Sequence, residues 1–427
     1  MAENLKLKTL LSVLKDSGAD AWEVTDEQEK GWEFYLIRHA LDQNRIKNLE
    51  SFQVKVYKRF DDFLGSADAP VPADAGEAEM KRIVAGLCQD AVYVRNPVYT
   101  LNRPDPQAEA GTGEETVDLR AISEDFLRTV AALPETETED LNSCEIFVSE
   151  KRVRFLNSEG IDVTAVYPHS MVEAVVNARK DGREIELYRM YECGTCDREQ
   201  LTRDLTETMR YGRDKLTAAA TPALEKADVI LSTDAAVEIY DYFISRLSAG
   251  WVYRGVSDWK IGDMVAPENL TARTAAFLPN SSANGAYDRE GARIRDLTLI
   301  DHGKAVHNWG SRQFSQYLGL EDSFIASNFV VTGGSQSAAD IRQGDYLEIV
   351  EFSDFSVDYV TGDIAGEIRL AYLHRDGRTV SVSGGSISGN MNELVRKMEF
   401  SAESRQYDNM LIPAVTRLNG ATVTGAV

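Results

Sequence analysis

The chain has 427 residues, 43% of them hydrophobic and 27% charged, with a formal net charge of −23 at pH 7 and a sequence pI of about 4.7. That length exceeds one ordinary core and asks for two or three domains. The acidic field repels phosphate backbones and no Lys/Arg cluster offsets it, which sets aside direct nucleic-acid binding; no run reaches the roughly 18 apolar residues that span a bilayer, and four cysteines make no disulfide framework.

The first residues, MAENLKLKTLLSVLKDSGAD, lack the unbroken apolar core and the cleavage site of a signal peptide. Leu7, Leu10, Leu11 and Leu14 instead predict an amphipathic helix over 5–17, ended by Gly18. A soluble, reduced, cytoplasmic protein is expected. AWEVTD, GWEFYLIRHALDQNRIKNLE and SFQVKVYKRF read as extended segments, with Val54, Val56 and Tyr57 in a run typical of strands. Residues 67–76 read as a loop and 77–93 as a helix with Met80, Ile83, Val84 and Leu87 inward.

The polar, turn-rich stretch 104–116 is the best linker. A helix over 122–133 follows it. Extended runs then lead to a second long helix over 197–218, with hairpin turns expected at Ser158-Glu159-Gly160 and Lys180-Asp181-Gly182. A short strand, KADVIL (226–231), precedes the strongest helix signal of the second half. There Ala236, Tyr240, Phe243, Ile244 and Leu247 recur at helical spacing, with Thr233 or Asp234 as the expected cap and Ser248-Ala249-Gly250 as the stop before an extended WVYRG. From 250 onward the pattern is mostly β, with a tight turn at Asp301-His302-Gly303 and a last helix, MNELVRKME, capped by Asn390. The expected fold class is α+β: an N-terminal α+β domain (1–110), a central strand-hairpin and helix domain (111–225), and a mostly antiparallel β-rich C-terminal domain (226–427).

Motifs that carry chemistry are sparse. Cys193 and Cys196 form one CxxC, but a structural zinc site needs four ligands, and Cys88 and Cys144 stand alone. Two thiols at a strand-to-helix junction is the simpler reading. His302 and His307 lie on a hairpin without a carboxylate or cysteine spacing that completes a ligand set. Gly384-Gly385 through Asn390, and Gly333-Gly334-Ser335, each precede a helix, but neither is a P-loop or GxGxxG, and caps and turns account for both. No GxSxG occurs.

Five ordered segments then carry a resemblance: SRLSAGWVYRGVSDWKIGDMVAPENLTA (245–272), LTLIDHGKAVHNWGSRQFSQYLGL (297–320), SNFVVTGG (327–334), YVTGDIAGEIRLAY (359–372) and GGSISGNMNEL (384–394). They resemble the TldD/TldE (PmbA) proteins, known as metalloproteases and as modulators of DNA gyrase. The central run RVRFLNSEGIDVTAVYPHSMVEAVV and the start DSGADAWEV extend the resemblance over nearly the whole chain. In that family the TldD branch carries HExxxH on the helix after the VxL strand, where two imidazoles and a carboxylate could hold zinc. Here the corresponding positions fall near Tyr240, Asp241 and Ser245; residues 170–301 contain no histidine, and no cysteine follows Cys196. The resemblance therefore implies a TldE/PmbA-type subunit without catalytic or metal-ligating residues of its own. Zinc is expected only in a TldD-type partner, with which it would process unfolded or small peptides. Homodimerisation is left open. The turns at Gly362-Asp363 and at Gly384, Gly385, Ser386 and Asn390 are the expected peptide-binding backbone. An independent hydrolase built on His302 or His307, with Asp301 or Asp363, and a gyrase-directed regulatory binder are the alternatives.

Overall fold

The computed structural model describes residues 5–104, 113–114, 117–320 and 323–426, and it is an α+β fold. Helix α1 (Leu5–Lys15) buries Leu7, Leu10 and Leu14 and stops short of Gly18, which takes a φ of +75°. Strands β1 (Ala21–Ile37) and β2 (Ala40–Arg59) form one long hairpin. The segment GWEFYLIRHALDQNRIKNLE, expected as a single extended run, reverses at Arg38 and His39, with Arg38 at a φ of +56°. Val54, Val56 and Tyr57 are buried, as their pattern predicts.

Residues 67–76, expected as a loop, are mostly strand: β3 (Leu64–Pro72) pairs with β2 from Ser51↔Pro72 to Arg59↔Leu64. The physical reason is position. β3 is the outermost strand of its sheet, where Pro70 and Pro72 can lack an N–H without breaking a ladder. Helix α2 (Glu77–Asp90) then adds Met80, Val84 and Leu87 to a core shared with Leu10, Val54 and Val56.

The expected linker 104–116 lies outside the described residues, apart from Pro104 and the two-residue strand β4 (Gly113–Glu114). Helix α3 (Leu119–Ala131), strands β5 (Glu139–Asn157), β6 (Asp162–Lys180) and β7 (Arg183–Cys193), and helix α4 (Arg198–Leu216) follow. Both expected hairpin turns are present: Gly160 takes a φ of +103°, and Asp181 and Gly182 take +51° and +76°. The seven strands make one sheet of order β3-β2-β1-β5-β6-β4, with β7 also on β6. Strand β1 pairs with β5 from Glu23↔Asn157 to Ile37↔Ser143, so the segments 1–110 and 111–225 share that sheet.

The C-terminal part contains β8 (Ala219–Ala220), β9 (Leu224–Leu231), α5 (Ala236–Ser245), α6 (Ala249–Tyr253), β10 (Thr271–Ala275), β11 (Thr298–Asp301), β12 (Lys304–Ala305), α7 (Arg312–Tyr317), β13 (Asn328–Thr332), α8 (Ala338–Ile341), β14 (Tyr346–Val357), β15 (Asp363–Arg375), β16 (Arg378–Ser383), β17 (Ser386–Asn390), α9 (Met391–Leu394), β18 (Glu399–Phe400), β19 (Ser404–Tyr407), β20 (Met410–Pro413) and β21 (Thr416–Thr424). One sheet runs β14-β9-β21-β17-β15-β16-β8, and because β14 also pairs with β15, its first five strands close into a ring. The second sheet runs β12-β11-β10-β13-β20-β19. Pairing is mostly antiparallel, the exceptions here being β9–β14, β13–β20 and β8–β16.

Helix α5 packs Ala236, Tyr240, Phe243 and Ile244 into a core with Val229, Leu347, Ile364 and Ile387, and Leu247, just past the helix end, joins the same core. Its start differs from expectation. Neither the Thr233 nor the Asp234 side chain caps it; backbone turns through the carbonyls of Thr233 and Asp234 take the first N–H groups. WVYRG is likewise not extended: Ser248 accepts from the Trp251 N–H and opens α6, which packs Gly250 beneath Phe314. The last helix is shorter than MNELVRKME, a four-residue turn capped by Asn390 and continued by a 3-10 turn over Val395–Lys397. The Asp301-His302-Gly303 turn is as expected, with φ of +47° and +77° at His302 and Gly303. Among the described residues no helix is long and apolar enough to cross a membrane.

Candidate functional site

Helix α5 and its surroundings are held by a dense polar and aromatic network. Tyr240 is fully buried and its hydroxyl shares a hydrogen bond of 2.7 Å with Thr416 Oγ1. Asp241 lies on another face, accepting from Ser245 Oγ at 3.2 Å and from the Tyr359 hydroxyl at 2.7 Å. The same hydroxyl reaches Glu238 at 3.3 Å. Burial raises the Glu238 carboxyl above its usual range, and burial together with Asp241 raises the Tyr359 phenol. Arg246, 5% exposed, closes the helix. It donates to the carbonyls of Tyr359 (2.9 Å) and Val360 (3.1 Å) and to Asp258 (2.6 Å), and lies over the rings of Trp259 (4.7 Å) and Tyr242 (5.4 Å).

This donor set does not fit a zinc ion. It offers two carboxylates, Asp241 and Glu238, that share the Tyr359 hydroxyl, a phenol turned into the core and a hydroxyl, with no imidazole or thiolate and with a fixed guanidinium at the end of the same helix. Among the described residues no group of three or more His, Cys, Asp or Glu is placed to hold a metal.

The other residues singled out from the sequence fall in separate places. Gly362, Asp363 and Asn390 meet at one end of β17: Asp363 pairs with Asn390, whose Nδ2 donates to Asp363 Oδ1 at 2.8 Å, and the Met391 N–H donates to the Gly362 carbonyl at 2.7 Å. Gly384, Gly385 and Ser386 lie at the other end. They are not a loop before a helix, because the strand β17 intervenes. β16 and β17 keep one register along β15, and the glycine pair, at φ of +83° and +78°, is a kink within that run. A Cβ on Gly385 would sit 2.0 Å from the Thr424 carbonyl oxygen, so close backbone passage explains that glycine. β17 is paired to β15 on one edge and to β21 over Ser386–Ser388 on the other.

Cys193 and Cys196 are free thiols at the junction of β7 and α4. Burial pushes Cys196 up to about 11 and Cys193 further, which opposes thiolate chemistry. The His302 ring nitrogen Nδ1 is 2.8 Å from Asp301, and His307 Nδ1 is 2.7 Å from the Thr298 carbonyl.

Sequence reasoning missed the concavities of the structure. A cavity of about 420 Å³ lies between α4 and the segments that precede α5 and β20. Its apolar walls include Phe126, Tyr191, Leu201, Tyr211, Val237 and Tyr407. Seven of its lining residues are Asp or Glu and two are Arg. Arg189 is committed to buried Glu351, and Arg405 donates to Asp204 at 2.8 Å. A second cavity, about 520 Å³, shares Glu207, Tyr211 and Arg405 with the first. Residues more than 200 positions apart build these walls, and no local motif could have announced them.

Residues 224–425, which hold the closed five-stranded ring with α5 packed into its core, match the family described as the PmbA/TldA metallopeptidase C-terminal domain. That C-terminal part of the chain belongs to the TldD/TldE/PmbA family. It is 24% identical to an uncharacterized protein of Methanocaldococcus jannaschii over 61% of this chain and 64% of that one. It is also 24% identical to the metalloprotease PmbA of Escherichia coli O157:H7, over 40% of each. The matched stretches thus span less than two thirds of those relatives' own lengths. TldE from Thermococcus kodakarensis superposes with a TM-score of 0.79 at 16% identity, covering 98% of this chain and 100% of that one. A Thermotoga maritima protein named for modulation of a DNA gyrase gives 0.78 at 15% identity, covering 99% of both. These two likenesses are of fold.

Proposed function

We propose that the chain is the TldE/PmbA-type, non-catalytic subunit of a cytoplasmic peptidase complex, pairing with a metal-bearing TldD-type subunit and holding unfolded or small peptides for it. The observation that carries this reading is α5. Where the TldD branch has HExxxH, this helix has a core tyrosine, a carboxylate engaged by Ser245 and Tyr359, and Arg246. A fixed positive charge beside carboxylates with no imidazole or thiolate serves structure better than it serves a Lewis acid. The match of residues 224–425 to a metallopeptidase-related family and the TldE-like fold agree with an accessory role.

The experiment is elemental analysis of the purified chain together with a peptidase assay, alone and with an added TldD-type subunit. No stoichiometric zinc, and activity appearing only with the partner, is the expected result. About one zinc per chain with activity in its absence would overturn the reading and direct attention to His302, His307 and the Cys193–Cys196 pair.

A further inference from the structure

We propose that the cavity between α4 and the start of α5 binds the cationic side chain, lysine or arginine, of an extended peptide; this rests on the peptide-holding role above and names what that role selects. Four carboxylates of the lining have partners: Asp197 caps α4, Asp204 holds Arg405, Glu207 pairs with Arg210 and Asp408 accepts from Ser282. Glu238 takes only the distant Tyr359 hydroxyl. The side chains of Glu192 and Asp234 make no hydrogen bond or ion pair among the described residues, and both residues are exposed at the mouth. Both lining guanidiniums are paired with carboxylates, although Arg405 Nε has no partner among the described residues.

A second observation points to a missing partner. Thr233 lines the cavity at 8% exposure, and its hydroxyl has no hydrogen-bond partner among the described residues. The hydroxyl oxygen is reachable from the cavity and stands there as an unengaged acceptor. An ammonium or guanidinium N–H supplies the donor. The walls suit the rest of such a side chain, since Phe126, Tyr191 and Tyr211 offer apolar surface for an aliphatic stem. Arg405, lying 5.1 Å over the Tyr407 ring, shows a cation already held against this wall. The volume, about 420 Å³, accommodates a long side chain and flanking backbone.

The test is calorimetric titration of the full chain, without a partner subunit, using capped alanine pentapeptides with lysine, norleucine or glutamate at the centre, and n-butylamine. The lysine peptide is expected to bind at least about tenfold tighter than the norleucine peptide, and the glutamate peptide weakest, with the preference shrinking as salt is raised. Asp234→Asn combined with Glu192→Gln removes most of that preference while leaving the melting temperature unchanged, because both side chains are exposed and unpaired. Equal binding of lysine and norleucine peptides, no detectable lysine-peptide binding, or a preference that survives both substitutions would overturn the assignment. Binding of n-butylamine as tight as that of the lysine peptide would refute a peptide site. A chain that binds lysine peptide but fails to activate a TldD-type subunit loses the proposed function and keeps this site; activation without cation preference does the reverse.

Discussion

Replacing Arg246 by Met keeps the aliphatic stem and removes the charged fork. Two carbonyls, of Tyr359 and Val360, lose a charge-assisted donor, and two rings lose a cation. Hydrogen bonds to charged groups contribute about 1.5–3 kcal/mol each, and cation–ring contacts at least about 0.5. The Asp258 side chain is 89% exposed and adds little. The lower ends sum to about 4 kcal/mol, so a loss of about 4 kcal/mol is expected in urea unfolding of the full chain, read in the transition that changes tryptophan fluorescence, since Trp259 lies under the guanidinium. Arg246→Lys keeps the charge but loses the planar guanidinium that lies on the Trp259 and Tyr242 rings while its Nη1 takes both carbonyls and its Nη2 takes Asp258, and it should recover less than half. A second readout is local: amide exchange over 358–362, the loop pinned by Arg246, rises in the Met variant. A loss under about 1 kcal/mol, full recovery by lysine, or unchanged exchange in that loop would refute the reasoning.

Tyr240→Phe strands the Thr416 hydroxyl in a dry core and should cost about 1–3 kcal/mol, while the double variant with Thr416→Val returns to within about 1 kcal/mol of wild type; thermal and urea unfolding of the set give the coupling. Gly333→Ala places a Cβ 1.5 Å from the Asn269 carbonyl oxygen at a φ of +125°, so a loss of at least about 3 kcal/mol in urea unfolding, or no soluble chain, is expected. Asp288 is pushed up from 3.8 to about 6 by burial, despite accepting N–H groups from Ile325, Glu290 and Ala292. The folded state therefore holds a proton that the unfolded chain has released between pH 3.8 and 6. Its ionisation costs the fold about 3 kcal/mol above pH 6, and that cost disappears as pH falls to 4. Asp288→Asn should thus gain on wild type by about 1.4 kcal/mol per unit as pH rises from 4 to 6, and a flat difference would contradict the assignment.

Elements whose signal is local were legible. The apolar spacing from Ala236 to Leu247 reports a helix because 3.6-residue periodicity survives any tertiary context. The turns at Gly160, Asp181-Gly182 and His302-Gly303 were legible because only a few residues tolerate their backbone. β3 was not, because an Ala, Asp and Pro segment has no strand preference of its own and is held by the β2 edge. Trp251-Val252-Tyr253 looks like strand, yet the Ser248 cap and the Phe314 ring against Gly250 make it helix. The strand kink at Gly384-Gly385 depends on Thr424 passing close by, a contact far along the chain. The cavity depends on contacts of the same kind, which leave no imprint on neighbouring residues.

The Arg189–Glu351 pair ties β7 to β14, and nearby Val350 and Leu370 complete the core formed by Phe126, Val172 and Leu205. One wall of the 420 Å³ cavity is therefore riveted to the β-rich half through a largely buried, charge-locked seam. An occupant of that cleft meets a vise already set to its gap rather than a jaw that must shut. Ordering costs on binding are then small, and discrimination comes from fit to a fixed width. Loosening the rivet would broaden what the cleft accepts before it weakened what it holds.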